Sequence, residues 1–483
     1  MKLEEKENLK KRAATGAVLL VGKRVVTQAI GTLSNIFLAR LLFPSDFGTF
    51  AIVTFVVIFF TVFSDLGLGP SLVQKKEDLD QKDLQTAFTF QLFLIFAIVL
   101  FIFLGAPIIA GFYNLGQTGV NLLRFYSLYL FILPIKTTCG ALLERNLEYK
   151  KLVTIEVTEI GITSITTVIL AFLGFGVFSF VFSSVFGHFV GGLLYFIFSP
   201  WKLRLLISGK NLVKLAKFGL PFQSQAWFGL FYGPAILLYL GKAVGAQNLG
   251  FYIFAASLSV FPLAASEIIN RIVFPLGART QKDKLFFRQL IERSLVIVSA
   301  TSLPIVAFML VTAPALIHFI YTDRWTPALP AIYLGLVQMG IISYTGVFTQ
   351  LLLSLGKANV MRNISAVWAL VTWILGPALI YYFNFVGMSL TGLLVSATGL
   401  WLLVRLKQEV NFSWLPNFAP FFGSSAIAGF VVFIAIRTLP GNILGLVLGL
   451  FLGGAVYLGL VLLLKGRELV DNFRVLILAF GKG

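Results

Sequence analysis

Groups that commonly do chemistry are scarce in this chain: its 483 residues include one cysteine, two histidines and 20 Asp and Glu. The lone Cys139 excludes an internal disulfide framework and any paired-cysteine metal or redox centre. His188 and His318 are too few for a histidine-based metal site, so no metal is expected. Nucleotide-binding GxxxxGK[ST] and metalloprotease HExxH patterns are both missing, and no nucleophile has a credible base beside it. Catalytic residues and cofactors are therefore not expected. Charge itself is rare, at 12% of residues against about 25% in a soluble domain.

Apolar residues take the place of charge: 58% of the chain is hydrophobic, with a mean hydropathy of +0.92. Runs of about 18 residues or more, each long enough to cross roughly 30 Å of hydrocarbon, recur along the whole length. The pattern predicts an all-α polytopic membrane protein with about fourteen spans, among them 13–39, 46–72, 118–143, 177–198, 215–240, 247–275, 417–437 and 442–464. The start, MKLEEKENLKKR, lacks the short apolar core and small-residue site of a cleaved signal peptide. On a soluble protein a net charge of +18 would suggest nucleic acid. Here most Lys and Arg fall at alternate span ends, beginning with the N-terminal head. Arg40, Arg124, Lys242, Arg324 and Arg437 lie on the opposite side. By the positive-inside rule both termini are cytoplasmic, and no nucleic-acid partner is needed to explain the charge.

The chain repeats itself. LARLLFPSDFGTFAI (38–52) returns as LGKAVGAQNLGFYIF (240–254), with Leu38 on Leu240, Arg40 on Lys242, Asp46 on Asn248, Gly48 on Gly250 and Phe50 on Tyr252. GAPIIAGFY (105–113) and TAPALIHFI (312–320) close spans three and nine, and FGVFSF and FVGMSL recur before spans six and twelve. Residues 1–198 are therefore expected to form a six-helix lobe and 215–408 a second. A basic amphipathic linker (199–214) joins them, and 409–483 adds helices thirteen and fourteen and a tail. An even number of spans per half makes this a parallel repeat about an axis along the membrane normal. The linker, with Leu203, Leu206 and Ile207 among Lys202, Arg204, Lys210 and Lys214, reads as a tether on the inner membrane surface or a contact for anionic lipid.

Polar residues inside the spans are the candidates for function. Lys23 and Arg24 sit near the middle of span one, where each cation costs about 2.5–3.5 kcal/mol by insertion scales. They must face water or an anion, or pair with an acid such as Asp65, Glu156, Glu159 or Glu267. Arg24, Gln28, Gly31 and Asn35 form one helical stripe, the pattern of a cavity lining. Lys136, beside Pro134 in span four, is a third cation with a cavity or a structural role. In span eight Glu267, Asn270 and Arg271 share a face, so Glu267 and Arg271 either pair with each other or leave the arginine facing a cavity. Glu267 and Asp65 are the candidates for coupling to H+ or Na+; for Asp65, capping or pairing with Lys75 or Lys76 competes. His188 is a packing histidine or a titrating one. Gln225 and Tyr252 join Gln28, Asn35 and Asn270 as candidate sugar contacts.

Residues 38–76, 249–283 with their G-x-Y and F-P, and TAPALIHFIYTDRWTPALP (312–330) together resemble bacterial polysaccharide flippases of the Wzx type. Arg324 stands where lysine is commoner in that family. These flippases belong to the multidrug/oligosaccharidyl-lipid/polysaccharide exporter superfamily. The resemblance implies two six-helix lobes with two extra helices and translocation of a polyprenyl-diphosphate-linked oligosaccharide from the inner to the outer leaflet. A bacterial or archaeal plasma membrane is implied, with glycosyltransferases and a polymerase of the same pathway as partners. In the related lipid II flippases, arginines on spans one and eight line a basic cavity; Arg24 and Arg271 fall in those spans. On this reading Lys23, Arg24, Lys136 and Arg271 meet the diphosphate. Two alternatives remain: a cation or drug antiporter of the superfamily, which would want an acidic cavity, and a membrane polymerase or ligase, which would want a sizeable outer loop.

Overall fold

A computed structural model describes the backbone of residues 3–75, 77 and 79–481. It describes the side chains of 19, 22–75, 77, 79–221, 223, 227, 230, 233, 235–264, 266–270 and 272–466. Among these residues there is no strand. The helices in order are α1 (Leu3–Leu41), α2 (Pro44–Ser64), α3 (Leu68–Gln74), α4 (Gln81–Phe112), α5 (Gly116–Ser127), α6 (Leu133–Arg145), α7 (Tyr149–Phe172), α8 (Phe178–Phe198) and α9 (Gly209–Tyr232). They continue as α10 (Pro234–Ser259), α11 (Leu263–Thr280), α12 (Lys284–Phe319), α13 (Leu329–Ser354), α14 (Ala358–Phe383), α15 (Phe385–Thr398), α16 (Trp401–Glu409), α17 (Leu415–Thr438) and α18 (Ile443–Gly481).

Local sequence explains where these helices begin. Pro44 takes the first position of α2, where its missing N–H costs nothing, and the Asp46 carboxylate accepts the N–H of Phe43 at 2.9 Å. Asp80 and Asp83 cap each other's backbone N–H groups at the start of α4, at 2.7 and 3.1 Å. Asp283 does the same for α12 through Leu285 and Phe286.

Eleven stretches among the described residues are long and apolar enough to cross a membrane. The three other expected spans fall on α1, on α9 with the first part of α10, and on the rest of α10 with α11, where charges or breaks interrupt the run. The protein is an all-α, multi-pass membrane protein. Some expected spans are not continuous helices. Span two stops at Asp65 and restarts after Gly67, whose φ of 73° a side-chain-bearing residue rarely adopts. Span four passes through a 3-10 stretch, Leu128–Ile132, and span eight breaks between Ser259 and Leu263. Where spans seven and eight meet, α10 kinks at Gly245, φ 79°.

The chain divides into two units, one ending at Gly250 and the other beginning at Phe251. In the first, Leu68, Leu72, Phe88, Cys139, Ile155 and Trp201 form a buried core joining α3, α4, α6 and α7. Two glycines that the sequence repeat pairs also meet here. A Cβ on Gly48 would run into the Ala246 carbonyl and the Gly250 nitrogen, and a Cβ on Gly250 into the Pro44 carbonyl and the Gly48 nitrogen. The expected linker is extended over residues 201–208 and lies along α4. Lys202 N–H donates to Gln81, Leu206 N–H to Thr89 and Ser208 N–H to Thr86, at 3.1, 3.1 and 3.2 Å, while Gln85 donates to the Lys202 carbonyl at 2.9 Å. Trp201 anchors one end against Phe88; Leu203, Leu205 and Ile207 stay exposed.

In the second unit, Val273, Phe287, Ile291, Phe348, Leu351 and Leu402 join α11, α12, α13 and α16. Phe421 and Ala428 of α17 with Tyr457 and Val461 of α18 pack onto α12 at Val296, so the last two helices are part of this unit.

Candidate functional site

The first unit encloses charge. Glu156 and Glu159 stand one turn apart on α7. Lys23 of α1 donates to Glu156, one of the partners the sequence offered it. Lys136 of α6 lies 2.7 and 2.9 Å from the two oxygens of Glu159, which is itself 8% exposed. His188 of α8 completes the group: its Nδ1 is 2.6 Å from Glu159 Oε1 and 3.4 Å from Lys136 Nζ, and its ring stacks on Tyr129 with centroids 4.5 Å apart. Room for the carboxylate comes from Gly191, where a Cβ would strike Glu159. Four helices thus meet through two lysines, two glutamates and a histidine. Charges inside spans are costly unless they are paired or reach water, and these are paired.

The stripe on α1 is more open to the surface. Arg24, Gln28 and Gly31 are exposed and Asn35 is half-buried. Asp65 caps α3, its Oδ1 accepting the Leu68 N–H at 3.1 Å, while Lys75 goes to Asp83 at 2.5 Å. Outside the spans, that bond to Asp83 pushes the Lys75 ammonium above its ordinary value.

In the second unit Glu267 and Asn270 are half-buried on α11. Asn270 sits against Gly346 of α13, and its buried Oδ1 has no hydrogen-bond partner among the described residues. Tyr252 is half-buried just past the Gly245 kink. The side chains of Arg271 and Gln225 lie outside the described residues, as does that of Lys76. An apolar groove of about 520 Å³ runs between α17 and α18, lined by Leu415, Ala419, Gly423, Ile427, Leu460 and Leu464. Among the described residues no cluster of three or more His, Cys, Asp or Glu is placed to hold a metal ion.

Residues 37–330 match the model of a family described as polysaccharide biosynthesis protein. The chain belongs to that family. It is 22% identical over 369 residues to the teichuronic acid biosynthesis protein TuaB of Bacillus subtilis, covering 74% of this chain and 72% of that one. It is 24% identical over 470 residues to the succinoglycan biosynthesis transport protein ExoT of Rhizobium meliloti, covering 90% of each. In fold it is similar to a solved structure of the lipid II flippase MurJ in an inward closed conformation, with a TM-score of 0.76 at 15% identity over 94% of this chain and all of that one.

Of the residues singled out in the sequence, the structure brings Lys136 and His188 together, through a glutamate considered there only as a partner for the span-one cations. The trio spans residues 136 to 188 on three helices, so no helical period links its members. One local signal was available: the i, i+3 spacing of Glu156 and Glu159 puts two carboxylates on one face of a membrane-spanning helix.

Proposed function

We propose that this protein is a flippase that carries a polyprenyl-diphosphate-linked oligosaccharide from the inner to the outer leaflet of a bacterial or archaeal plasma membrane by alternating access. The observation that carries this reading is membership of the polysaccharide biosynthesis family across residues 37–330. Relatives named for teichuronic acid and for succinoglycan differ in their glycan. The step they have in common is therefore one indifferent to the sugar, as moving a lipid-linked precursor would be. A fold like that of a lipid II flippase supports the same conclusion.

On this reading Arg24 and Arg271 engage the diphosphate, since a guanidinium fork matches phosphate oxygens two at a time. Lys23 and Lys136, each beside a glutamate, add their positive charge to the same site. Gln28, Asn35, Gln225, Tyr252 and Asn270 offer hydrogen bonds to sugar hydroxyls. The α17–α18 groove, apolar along its length, suits part of the polyprenyl chain. Both termini are cytoplasmic, by the distribution of Lys and Arg, and glycosyltransferases and a polymerase of the pathway supply and consume the cargo.

The test uses a host whose own flippase has been deleted. The wild-type chain restores surface polysaccharide, whereas Arg24→Ala and Arg271→Ala insert into the membrane normally and do not. Normal polysaccharide with both variants would refute the arginine roles. A drug antiporter would instead lower drug accumulation in the same host without restoring glycan.

A further inference from the structure

We infer that the stretch from Lys202 to Lys210 is a binding site for anionic phospholipid: its tip dips into the inner leaflet, and the basic residues on its two limbs hold lipid phosphates. This goes beyond the flippase reading and stands apart from it.

The register along α4 traces the dip. Lys202 is bonded to Gln81 and Gln85, Leu206 to Thr89, Ser208 to Thr86 and Asn211 to Asp83. The segment therefore runs along the helix, turns near Leu206 and comes back. Asp83 is the last charged residue of α4, and everything from 84 to 112 is uncharged. Thr89 lies about 9 Å beyond Asp83 along the axis, so the turn reaches well into the apolar part of a membrane-spanning helix. Fastening the N–H groups of Leu206 and Ser208 to α4 lowers the cost of taking this main chain below the head groups.

The side chains sort along the same path. Leu203, Leu205 and Ile207, around the turn, are 50%, 67% and 52% exposed. Lys202 and Arg204 are exposed on the descending limb and Lys210 on the returning one. None of these three cations has an acidic partner among the described residues, whereas Lys214 lies 3.6 Å from Glu77. No Asp or Glu occurs between 199 and 219. Acyl chains match an open apolar turn at that depth, and lipid phosphates match the cations above it. A soluble protein partner would have to reach below the head groups to cover Leu205, so lipid is the better fit.

The test uses the full chain carrying Cys139→Ala, which removes its single cysteine. Leu205→Cys is labelled with an environment-sensitive fluorophore, and Lys210→Cys serves as the shallower position. The vesicles hold about four parts phosphatidylcholine to one part phosphatidylglycerol, with bromine on the acyl chains of one lipid or the other. Brominated lipid should quench the Leu205 label strongly and aqueous iodide hardly at all, with iodide quenching clearly greater at Lys210. A Leu205 label as open to iodide as the Lys210 label would overturn the dip. Quenching by brominated phosphatidylglycerol should further report about fivefold local enrichment of that lipid, the effect of one cation at an anionic surface. Lys202→Gln with Arg204→Gln and Lys210→Gln should abolish the enrichment, as should about 0.5 M salt without any change of sequence. Equal quenching by the two brominated lipids would overturn the head-group site. A Leu205 label open to iodide in these vesicles but shielded in native membranes would mean a protein partner instead, and would overturn the lipid assignment.

Discussion

In the first unit, helices meet through charge: Lys23 with Glu156, and Lys136 and His188 with Glu159. In the second, hydroxyls do much of the joining. Ser302 donates to Ser343 at 3.2 Å, Ser343 lies 3.1 Å from the Pro262 carbonyl, Tyr344 donates to Ser299 at 3.0 Å and Tyr457 to the Ala300 carbonyl at 2.7 Å. A buried ion pair and a buried hydroxyl bond solve the same problem of polar groups away from water, but they fail differently. Removing one ion leaves a stranded charge; removing one hydroxyl leaves a weaker defect. The repeat has preserved features that shape the backbone, such as Gly48 with Gly250 and the in-helix Pro107 with Pro314.

The sharpest way to break that contrast is Glu159→Ala. It strands Lys136 and should cost about 3–5 kcal/mol, read as a large drop in the unfolding temperature of detergent-purified protein. Replacing both Lys136 and Glu159 by Met should recover most of the loss. A single variant as stable as wild type would mean the charges hold nothing together.

Gly48→Ala and Gly250→Ala probe where the repeat has stayed alike. Each new methyl meets the backbone of the other segment, so both should cost about 1–3 kcal/mol, and by similar amounts. Clearly unequal losses in parallel melts would deny the reciprocity. In the second unit Ser343→Ala should cost only about 0.5–1.5 kcal/mol, well short of the Glu159 variant.

The smallest effect lies outside both interiors. The Asp83 backbone N–H holds the exposed Asp80 carboxyl below its ordinary value. Stability from a depressed carboxylate is present above its unfolded value and lost as pH falls through the folded one. Acidification should therefore loosen the first turn of α4 by about 1 kcal/mol at most, seen as faster amide exchange there, and Asp80→Asn should blunt the pH dependence.

Much of the fold was legible because crossing a membrane demands long apolar runs, and the eleven clear ones need no tertiary knowledge. Breaks were harder to see. Asp65–Leu66–Gly67 reads as part of a continuous apolar span until the left-handed φ of Gly67 is known. At the site, the sequence named Lys23 and Glu156 without choosing between partners, since periodicity relates residues within one helix and not the neighbours of different ones. His188 looked like packing for the same reason: the groups that engage it come from α6 and α7. The linker hid its extended form because Gln81, Gln85, Thr86 and Thr89, which bind its backbone, lie far away on α4, where no local pattern ties them to it.

That strap has a mechanical meaning. With its main chain fastened to four side chains of α4, the segment from Trp201 to Ser208 cannot lengthen or go slack without undoing several bonds at once. It works as a rigid stay rather than a leash. Further along the chain no such fastening holds Gly245, and there, at a φ of 79°, the backbone leaves its helical path.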